Sequence, residues 1–448
     1  MSLSDDQLRA AVGREMPGVR ADLERLVRIP SVAFPGFDHS HVQRSAEAVA
    51  ELLRGCGLDT KIVRAGGGHP AVIGRKPAPP GAPTVLLYAH HDVQPAGDPE
   101  LWTGEPFEPE ERDGRLYGRG AADDKAGVMA HVAALRAFGD DLPVGVTVFA
   151  EGEEEYGSES LDAILREYQD ELRSDVMVIA DSGNWDIGVP GLTTSLRGMV
   201  SLFAEVKVLR SAVHSGMFGG PVPDALTVLA RLIATLHDET GEVAVDGLVG
   251  REGATIDYPT DRFRSEAGML DGVQLTGTGT ITDRIWTKPA IAVLGIDAPG
   301  SVEAANALQP SARAKISARL APGDDPVSAF AAIKSHLEKH VSWGAHIEVT
   351  LDVDGEPCVI DATGPAYDAA RAAFRDAWDG TEPVDMGVGG SIPFIATFRD
   401  LFPDASILVT GVEDPHAAAH APDESLHLGE FQRVCLAEAL LLRNLGRQ

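Results

Sequence analysis

Short apolar runs that end in acidic residues or histidine restrict the fold of this chain more than any other feature. Three of them lie at 83–89, 144–150 and 176–180. Each run is rich in Val, Ile and Leu and too short for a typical helix, so we expect buried strands. Residues 123–138, between the first two runs, have the apolar spacing of an amphipathic helix. Strand, helix and strand in this order predict an open α/β sheet.

A different pattern begins near residue 198. Residues 199–208 and 312–320 alternate between apolar and polar side chains, as half-exposed strands do, and 223–236 has helical spacing. Alternating strands together with a helix predict an α+β domain with an antiparallel sheet. We place this domain at 198–355.

Helix–strand alternation returns after this domain, at 366–378 and 406–410. We therefore expect one α/β catalytic domain with a central, mostly parallel sheet, formed by residues 1–197 and 356–448. The smaller domain at 198–355 interrupts it as an insertion.

The charge of the chain excludes two classes of partner. Its 448 residues include 68 acidic and 38 basic side chains, which gives a formal net charge of −30. A polyanion of this kind is repelled by phosphate backbones and by anionic lipid surfaces. We therefore expect no nucleic-acid partner and no membrane partner.

Hydropathy and cysteine content both favour the cytoplasm. The apolar runs fall short of the roughly 18 residues that span a bilayer, and the first residues show no basic-then-apolar leader. The cysteines, Cys56, Cys358 and Cys435, are widely spaced and form no CxxC pair. They indicate neither a disulfide framework nor a thiolate zinc site. A metal in this chain would therefore be held by His, Asp and Glu.

Metal-ligand side chains follow the predicted strands directly. In chain order these groups are His90-His91-Asp92, the acidic run at 151–155, Asp181, and a loop with His416 and His420 that follows 406–410. Ligands of open α/β sheets bind outside the carboxyl ends of the strands, so we expect these groups to converge. Asp123 and Asp124, at the start of the intervening helix, face the same rim.

Imidazoles and carboxylates together suit Zn²⁺, Mn²⁺ or Co²⁺. One carboxylate can bridge two cations, and another that binds no metal can act as a general base. Each piece has a simpler interpretation on its own: the acidic run as a solvated loop, Asp123 and Asp124 as a helix cap, and Asp181 as a turn residue. Their coincidence at strand ends favours a metal site.

Eight short motifs, each present once, are spread in order over most of the chain. They are YAHHDVQP (88–95), YGRGAADDKAG (117–127), AEGEEEYGS (150–158), ADSGNW (180–185), VHSGMFGG (213–220), SARLAPGD (317–324), GGSIP (389–393) and AHAPDE (419–424). As a set they resemble the dinuclear zinc peptidase family that includes carnosine dipeptidase, carboxypeptidase G, acetylornithine deacetylase and succinyl-diaminopimelate desuccinylase. Asp181 and the HHDVQP and GSIP contexts look most like the dipeptidase branch.

The resemblance implies a set of metal ligands. His90, Asp123, Glu155, Asp181 and His420 would hold two divalent ions, zinc first, with manganese or cobalt as alternatives. Asp123 would bridge the two ions. His91 and His416 compete with His90 and His420 for these roles, and the family pattern selects His90 and His420.

The resemblance also implies a mechanism. Asp92 would orient His90, and Glu154 would be the general base for a hydroxide that bridges the metals and attacks the peptide bond. His214, in the inserted domain, would help to polarise the scissile carbonyl, and the resemblance implies that in dimeric members it reaches the site of the neighbouring subunit.

Substrate binding and assembly follow from the same resemblance. Arg319, Gly390 and Ser391 resemble the pocket that holds a substrate carboxylate. The inserted domain would act as a lid and a dimerisation domain, so a homodimer is expected. The substrate would be a dipeptide or an N-acyl-amino acid with a free carboxylate.

The sequence departs from the family pattern at positions that affect the choice of substrate and not the metal ligands. The usual Arg-Glu before GGSIP is Gly387-Val388 here, and the usual Asp-Asp-Lys-Gly has become Asp-Asp-Lys-Ala-Gly at 123–127. We predict a dipeptidase, with an N-acyl-amino-acid deacylase or carboxypeptidase of the same family as the alternative. A non-catalytic binding protein would have lost Glu154 or a ligand, and a calcium-buffering protein would use oxygen ligands only.

Overall fold

Helices and strands alternate along the chain in the order that the apolar runs predict. The structure is a computed structural model that describes residues 3–254, 256–390 and 393–447. The helices are α1 (Asp5–Val27), α2 (Ser40–Gly55), α3 (Lys125–Phe138), α4 (Leu161–Glu167), α5 (Gln169–Leu172), α6 (Ser215–Phe218), α7 (Ala225–Ala234), α8 (Thr260–Glu266), α9 (Pro326–His340), α10 (Pro365–Ala377), α11 (Pro393–Leu401) and α12 (Leu428–Leu445).

The strands include each of the apolar runs from which the fold class was predicted. They are β1 (Asp59–Val63), β2 (Ala71–Lys76), β3 (Thr84–His90), β4 (Glu110–Arg112), β5 (Arg115–Tyr117), β6 (Gly145–Glu151), β7 (Val176–Ile179), β8 (Gly191–Leu196), β9 (Gly198–Lys207), β10 (Val213–His214), β11 (Ala290–Asp297), β12 (Ala307–Leu308), β13 (Ser311–Leu320), β14 (His346–Gly355), β15 (Cys358–Val359), β16 (Val384–Val388), β17 (Ser406–Val409) and β18 (Ser425–His427).

The described residues form two compact units. The first contains the chain up to Thr194, then Ile360–Met386 and the chain from Pro393 onward. The second contains Ser195–Val359 and a short segment that begins at Gly387. The sequence pattern predicts the corresponding boundaries after residues 197 and 355, and it contains no sign of the segment at Gly387.

The main sheet of the first unit runs in the order β1-β2-β6-β3-β7-β17-β8. Its centre, β6-β3-β7-β17, is parallel, whereas β1-β2, β2-β6 and β17-β8 pair antiparallel. The predicted α/β fold class is confirmed, with a mixed sheet that is parallel at its centre and antiparallel towards its edges. The carboxyl ends of the central strands meet at one edge of the sheet, as parallel strands require.

Helix α3 fixes the residues that precede it. It packs on β3, α1 and α12, and almost all of its residues are buried. Helix α1 begins with a capping box, in which Ser4 and Gln7 each accept a hydrogen bond from the backbone N–H of the other. Because α3 is held on several sides, the chain that enters it at Asp123 and Asp124 has a defined position.

The second unit is built on a four-stranded antiparallel sheet in the order β11-β13-β9-β14. Helices α7 and α9 pack against this sheet. Alternate residues of β9 and β13, such as Leu202 and Ile316, are buried in the core of this unit, as the alternation in the sequence predicts. Strand β11 lies at the edge of the sheet.

None of the helices in the described ranges combines the length and the apolar composition that crossing a bilayer requires.

Candidate metal centre and active site

Asp123 lies between two histidines that come from opposite ends of the sequence. Its Oδ1 is 3.0 Å from Nε2 of His90, and its Oδ2 is 2.9 Å from Nε2 of His420. His90 is the last residue of β3, and His420 lies in the loop after β17. Each oxygen of one carboxylate therefore faces a different imidazole, which is the arrangement that a bridging ligand needs.

Two groups of ligand atoms surround this carboxylate. Ligand atoms of His90, Glu154 and Asp181 lie within 4.8 Å of one another, and so do those of His90, Asp123 and Glu155. Nε2 of His90 is 3.8 Å from Oδ1 of Asp181, and Nε2 of His420 is 3.2 Å from Oε2 of Glu155. The structure therefore brings together all five predicted metal ligands and the predicted base.

Asp92 supports both sides of this cluster from a fully buried position. Its carboxylate accepts hydrogen bonds from the backbone N–H groups of Glu154 and Glu155, each at 3.1 Å. Nδ1 of His90 is 3.2 Å from the backbone oxygen of Asp92 and 3.4 Å from its carboxylate. A proton on Nδ1 of His90 can be donated to Asp92. Nε2 of the neutral imidazole then presents its lone pair to the cluster.

Asp124 begins α3 but does not cap it with its side chain. Its Oδ2 accepts instead from the backbone N–H of His90 at 3.2 Å. A Cβ on Gly127 would clash with Oδ1 of Asp124, so only glycine leaves room for this carboxylate. The shift of the family glycine by one position, from 126 to 127, therefore matches a packing requirement in this chain.

Glu424 is the supporting residue that sequence reasoning missed. It is fully buried, and it accepts from the backbone N–H groups of Ala122 and Asp123 at 2.9 and 3.0 Å and of Gly120 at 3.0 Å. Arg119 donates to the same carboxylate at 2.7 Å. The AHAPDE motif contained the signal, but its glutamate had no assigned role because its partners lie about 300 residues earlier.

The cluster is rich in carboxylates, and among the described residues no lysine or arginine lies within ion-pair distance of Asp123, Glu155 or Asp181. The imidazoles of His90 and His420 are the only basic side chains there that come this close to the three carboxylates. Burial, with the charges of Asp123 and Glu155, raises the pKa of Asp181 to about 7.

Hydrogen bonds to Asp123 and Glu155 raise the pKa of His420 to about 11. Buried carboxylates with two imidazoles are a donor set that fits divalent transition metals and zinc. The residues present therefore fit the metals that the sequence implies.

Among the described residues, neither competing histidine lies within ion-pair distance of Asp123, Glu155 or Asp181, whereas His90 and His420 do. His91 is fully buried, and its Nε2 donates to the backbone oxygen of Pro70 at 2.9 Å. Burial lowers the pKa of His91 to about 4. His416 is exposed at the start of the loop that carries His420.

The predicted substrate-binding residues belong to the second unit. His214 is exposed on β10, and its Nδ1 accepts from the backbone N–H of Gly216 at 3.1 Å. Neutral His214 therefore carries its proton on Nε2, which is the donor needed to polarise a carbonyl. Arg319 is half-buried on β13, Gly390 is described, and Ser391 lies outside the described residues.

Comparison with known proteins agrees with this geometry. Residues 86–444 match peptidase family M20/M25/M40. A cysteinylglycine-S-conjugate dipeptidase of Corynebacterium striatum is 38% identical over 421 residues, which cover 90% of both chains. The chain belongs to peptidase family M20/M25/M40 and is a peptidase. The predicted family resemblance is confirmed, and the name of this relative matches the dipeptidase branch.

Solved structures share the fold at low sequence identity. The di-peptidase Dug1p of Saccharomyces cerevisiae has a TM-score of 0.84 and 24% identity, with 100% of both chains covered. Human carnosine dipeptidase 1 has a TM-score of 0.82 and 24% identity, also with 100% of both chains covered. These likenesses concern the whole chain, so both units follow the fold of these enzymes.

Proposed function

We propose that this chain is a dipeptidase that hydrolyses the peptide bond of dipeptides or short peptides with two divalent ions. The observation that supports this most directly is the position of Asp123, whose two oxygens face His90 and His420 separately. Zinc is the first choice of metal, with manganese or cobalt as alternatives, because the donor set is imidazole and carboxylate.

The ligands divide into two sets that share Asp123. His90, Asp123 and Asp181 would hold one ion, and Asp123, Glu155 and His420 the other. When bound, such ions lower the pKa of water and polarise a carbonyl oxygen, which side chains alone do far less effectively. Asp92 holds His90 in the orientation that points Nε2 at the metal, and Glu424 holds the backbone before Asp123.

Glu154 would move the proton. Its carboxylate lies within 4.8 Å of ligand atoms of His90 and Asp181, and its backbone is fixed by Asp92. Glu154 takes a proton from the water whose oxygen bonds to the carbonyl carbon, and it delivers this proton to the nitrogen as the C–N bond breaks. The carboxylate then returns to its starting state, and a dipeptide yields two amino acids.

The second unit would bind the rest of the substrate. Nε2 of His214 would donate to the carbonyl oxygen as negative charge develops on it. Arg319, with Gly390 and Ser391, would bind the free carboxylate, since a guanidinium matches its two oxygens. Cys-Gly is the first dipeptide to test, because the Corynebacterium striatum relative is named for a cysteinylglycine conjugate.

Assembly and compartment complete the proposal. Strand β11 is an edge strand with exposed apolar side chains, Val293, Leu294 and Ile296, and pairing of two such edges would form a homodimer. The cysteines Cys56, Cys358 and Cys435 are all free thiols, which supports a reducing compartment and therefore the cytoplasm.

Metal content per chain and hydrolysis of a small panel test the proposal together. The panel contains Cys-Gly, other dipeptides and N-acyl-amino acids, each with and without a chelator. We expect about two ions per chain and cleavage of dipeptides that the chelator abolishes. Two ions with cleavage of N-acyl-amino acids only would assign the chain to the deacylase branch. No cleavage after metal is restored would overturn the proposal.

A further inference from the structure

Two arginines of the second unit lie side by side. Arg319 on β13 pairs with Met199 on β9, and Arg197 precedes Met199 by two residues. Residues two apart in an extended chain point to the same face, so Arg197 and Arg319 are diagonal neighbours across the two strands. Burial, together with the charge of Arg319, lowers the pKa of Arg197 to about 10.

The described residues provide no acidic partner for either guanidinium. Among the described residues, no carboxylate lies within ion-pair distance of Arg197 or Arg319, although the chain has 68 acidic side chains against 38 basic ones. The Arg197 residue is only 9% exposed, and its Nε has no hydrogen-bond partner. One terminal nitrogen of Arg197 donates to the backbone oxygen of Arg284 at 3.4 Å.

A buried charge without a counterion is unfavourable, and a second cation beside it adds repulsion. In a chain with an excess of acidic residues, an arginine pair without a carboxylate partner is typical of a binding site for an anionic ligand. The Nε–H of Arg197 and the terminal nitrogen that does not bond to Arg284 have no partner among the described residues. Together they form the edge of a guanidinium that can donate to both oxygens of a carboxylate.

Two glycines, Gly389 and Gly390, follow the residue that pairs with the backbone of Arg197. The backbone N–H of Arg197 donates to the oxygen of Val388 at 3.0 Å. A Cβ on Gly389 would lie 2.9 Å from a terminal nitrogen of Arg197, so glycine avoids pressing on the guanidinium. Among the described residues, leaving out its chain neighbours, no heavy atom lies within 4 Å of a Cβ built on Gly390. The described surroundings of Gly390 therefore offer space on that side of the segment.

We infer that Arg197 acts with Arg319 to bind the free carboxylate of the substrate, and that Arg197 sets the requirement for that carboxylate. The sequence motifs gave Arg319 this role and gave none to Arg197. The inference deepens the proposed dipeptidase function and rests on it, because that function supplies a substrate with a terminal carboxylate.

Kinetics with paired substrates test the inference. The substrates are Ala-Gly and the same dipeptide with a C-terminal carboxamide, each measured with wild type, Arg197→Gln and Arg313→Gln. Arg313 is the control, since it lies on β13, the strand of Arg319, and forms an ion pair with Asp297. We expect Arg197→Gln to raise KM for Ala-Gly about 10-fold or more and to leave the carboxamide within about 2-fold. An equal loss on both substrates would assign Arg197 a purely structural role and overturn the inference.

Binding provides a readout that does not depend on turnover. The probe is an Ala-Gly analogue with a methylene-amine in place of the amide, as free acid and as carboxamide, titrated calorimetrically into metal-loaded protein. Wild type should bind the acid about 10-fold more tightly than the carboxamide, and Arg197→Gln should lose this preference. If Arg197→Gln keeps the preference, the inference fails. If the preference behaves as expected but no dipeptide is cleaved, the proposed function fails and the carboxylate site stands.

Discussion

His131 on α3 and Glu438 on α12 form an ion pair that is shielded from solvent. Nδ1 of His131 lies 2.9 Å from both oxygens of Glu438, and Nε2 donates to the backbone oxygen of Tyr88 at 3.0 Å. A carbonyl oxygen only accepts, and an ionised carboxylate does the same, so both ring nitrogens carry protons. One imidazolium thus connects β3, which ends at His90, with α3, which begins after Asp123 and Asp124.

The first prediction is that His131 makes stability depend on pH. Interaction with Glu438 outweighs burial and raises the pKa of His131 above its usual value. The pair therefore stabilises the fold fully below the unfolded-state pKa of about 6.5, and this contribution falls as pH rises through the folded-state pKa. His131→Gln should lower the free energy of unfolding by about 3 kcal/mol at pH 6 and by less at pH 9.

Urea unfolding of metal-free protein at the two pH values measures this difference. His41→Gln is the control, because His41 is a partly exposed histidine near the exposed Asp38. It should change the unfolding midpoint little at either pH. A loss for His131→Gln that is the same at pH 6 and pH 9 would show that the fold does not raise the pKa of His131, and it would contradict the prediction.

The second prediction separates proton transfer from metal binding. Glu154→Gln keeps the size and the backbone contacts of the residue but cannot accept a proton. We expect kcat for dipeptide hydrolysis to fall about 100- to 10,000-fold while the metal content stays that of wild type. Elemental analysis and steady-state kinetics measure both quantities. Glu159→Gln, an exposed neighbour, should leave both unchanged, and full activity of Glu154→Gln would exclude it as the base.

The third prediction concerns His420. Its Nε2 faces Asp123 and Glu155 but not the other group of ligand atoms. His420→Ala should therefore remove one ion per chain and reduce dipeptide hydrolysis to background, while the second ion stays bound. His416→Ala, in the same loop, is the matched control and should retain both ions and activity. Loss of metal from His416→Ala but not from His420→Ala would reverse the two assignments.

Features that depend on a local sequence pattern, such as the central strands and the ligands that follow them, could be predicted from the sequence. The short length and the Val, Ile and Leu content of the runs at 83–89, 144–150 and 176–180 indicated strands β3, β6 and β7, and the residues after them converge in the structure. Residues whose partners are distant in sequence were missed, because pairing across about 300 residues leaves no periodic trace. Glu424, 304 residues from Gly120, and Glu438, 307 residues from His131, are of this kind. Arg197 was missed because its neighbour Arg319 lies on a strand brought alongside only by the fold of the second unit.

The fourth prediction is that Glu424 controls metal affinity without touching a metal. Its carboxylate accepts from the backbone of Gly120, Ala122 and Asp123, which fixes the chain that leads to Asp123, the proposed bridging ligand. Glu424→Gln replaces an acceptor oxygen by a donor and should weaken metal binding about 10- to 100-fold. Competition with a metal indicator dye measures the affinity. Asp423→Asn alters the preceding, half-buried side chain, which accepts from Thr103 and not from the backbone before Asp123, and should leave the metal affinity unchanged. Equal effects of both variants would contradict the role of Glu424.

The fifth prediction tests the dimer through strand β11. Leu294 and Ile296 are 59% and 51% exposed on this edge strand, so a lysine at either position would place a solvated charge in the interface. We expect Leu294→Lys to convert a dimer to a monomer in size-exclusion chromatography with light scattering.

The other edge of the same sheet provides the control. Leu351 on β14 is 43% exposed, so Leu351→Lys adds the same charge at similar exposure on the opposite strand. A dimer that dissociates in both variants, or in neither, would place the interface elsewhere than β11. Dissociation in Leu294→Lys alone would identify the edge, and activity of the resulting monomer would then show whether His214 acts within its own chain. Loss of kcat with both metals retained would mean that the partner subunit supplies this histidine.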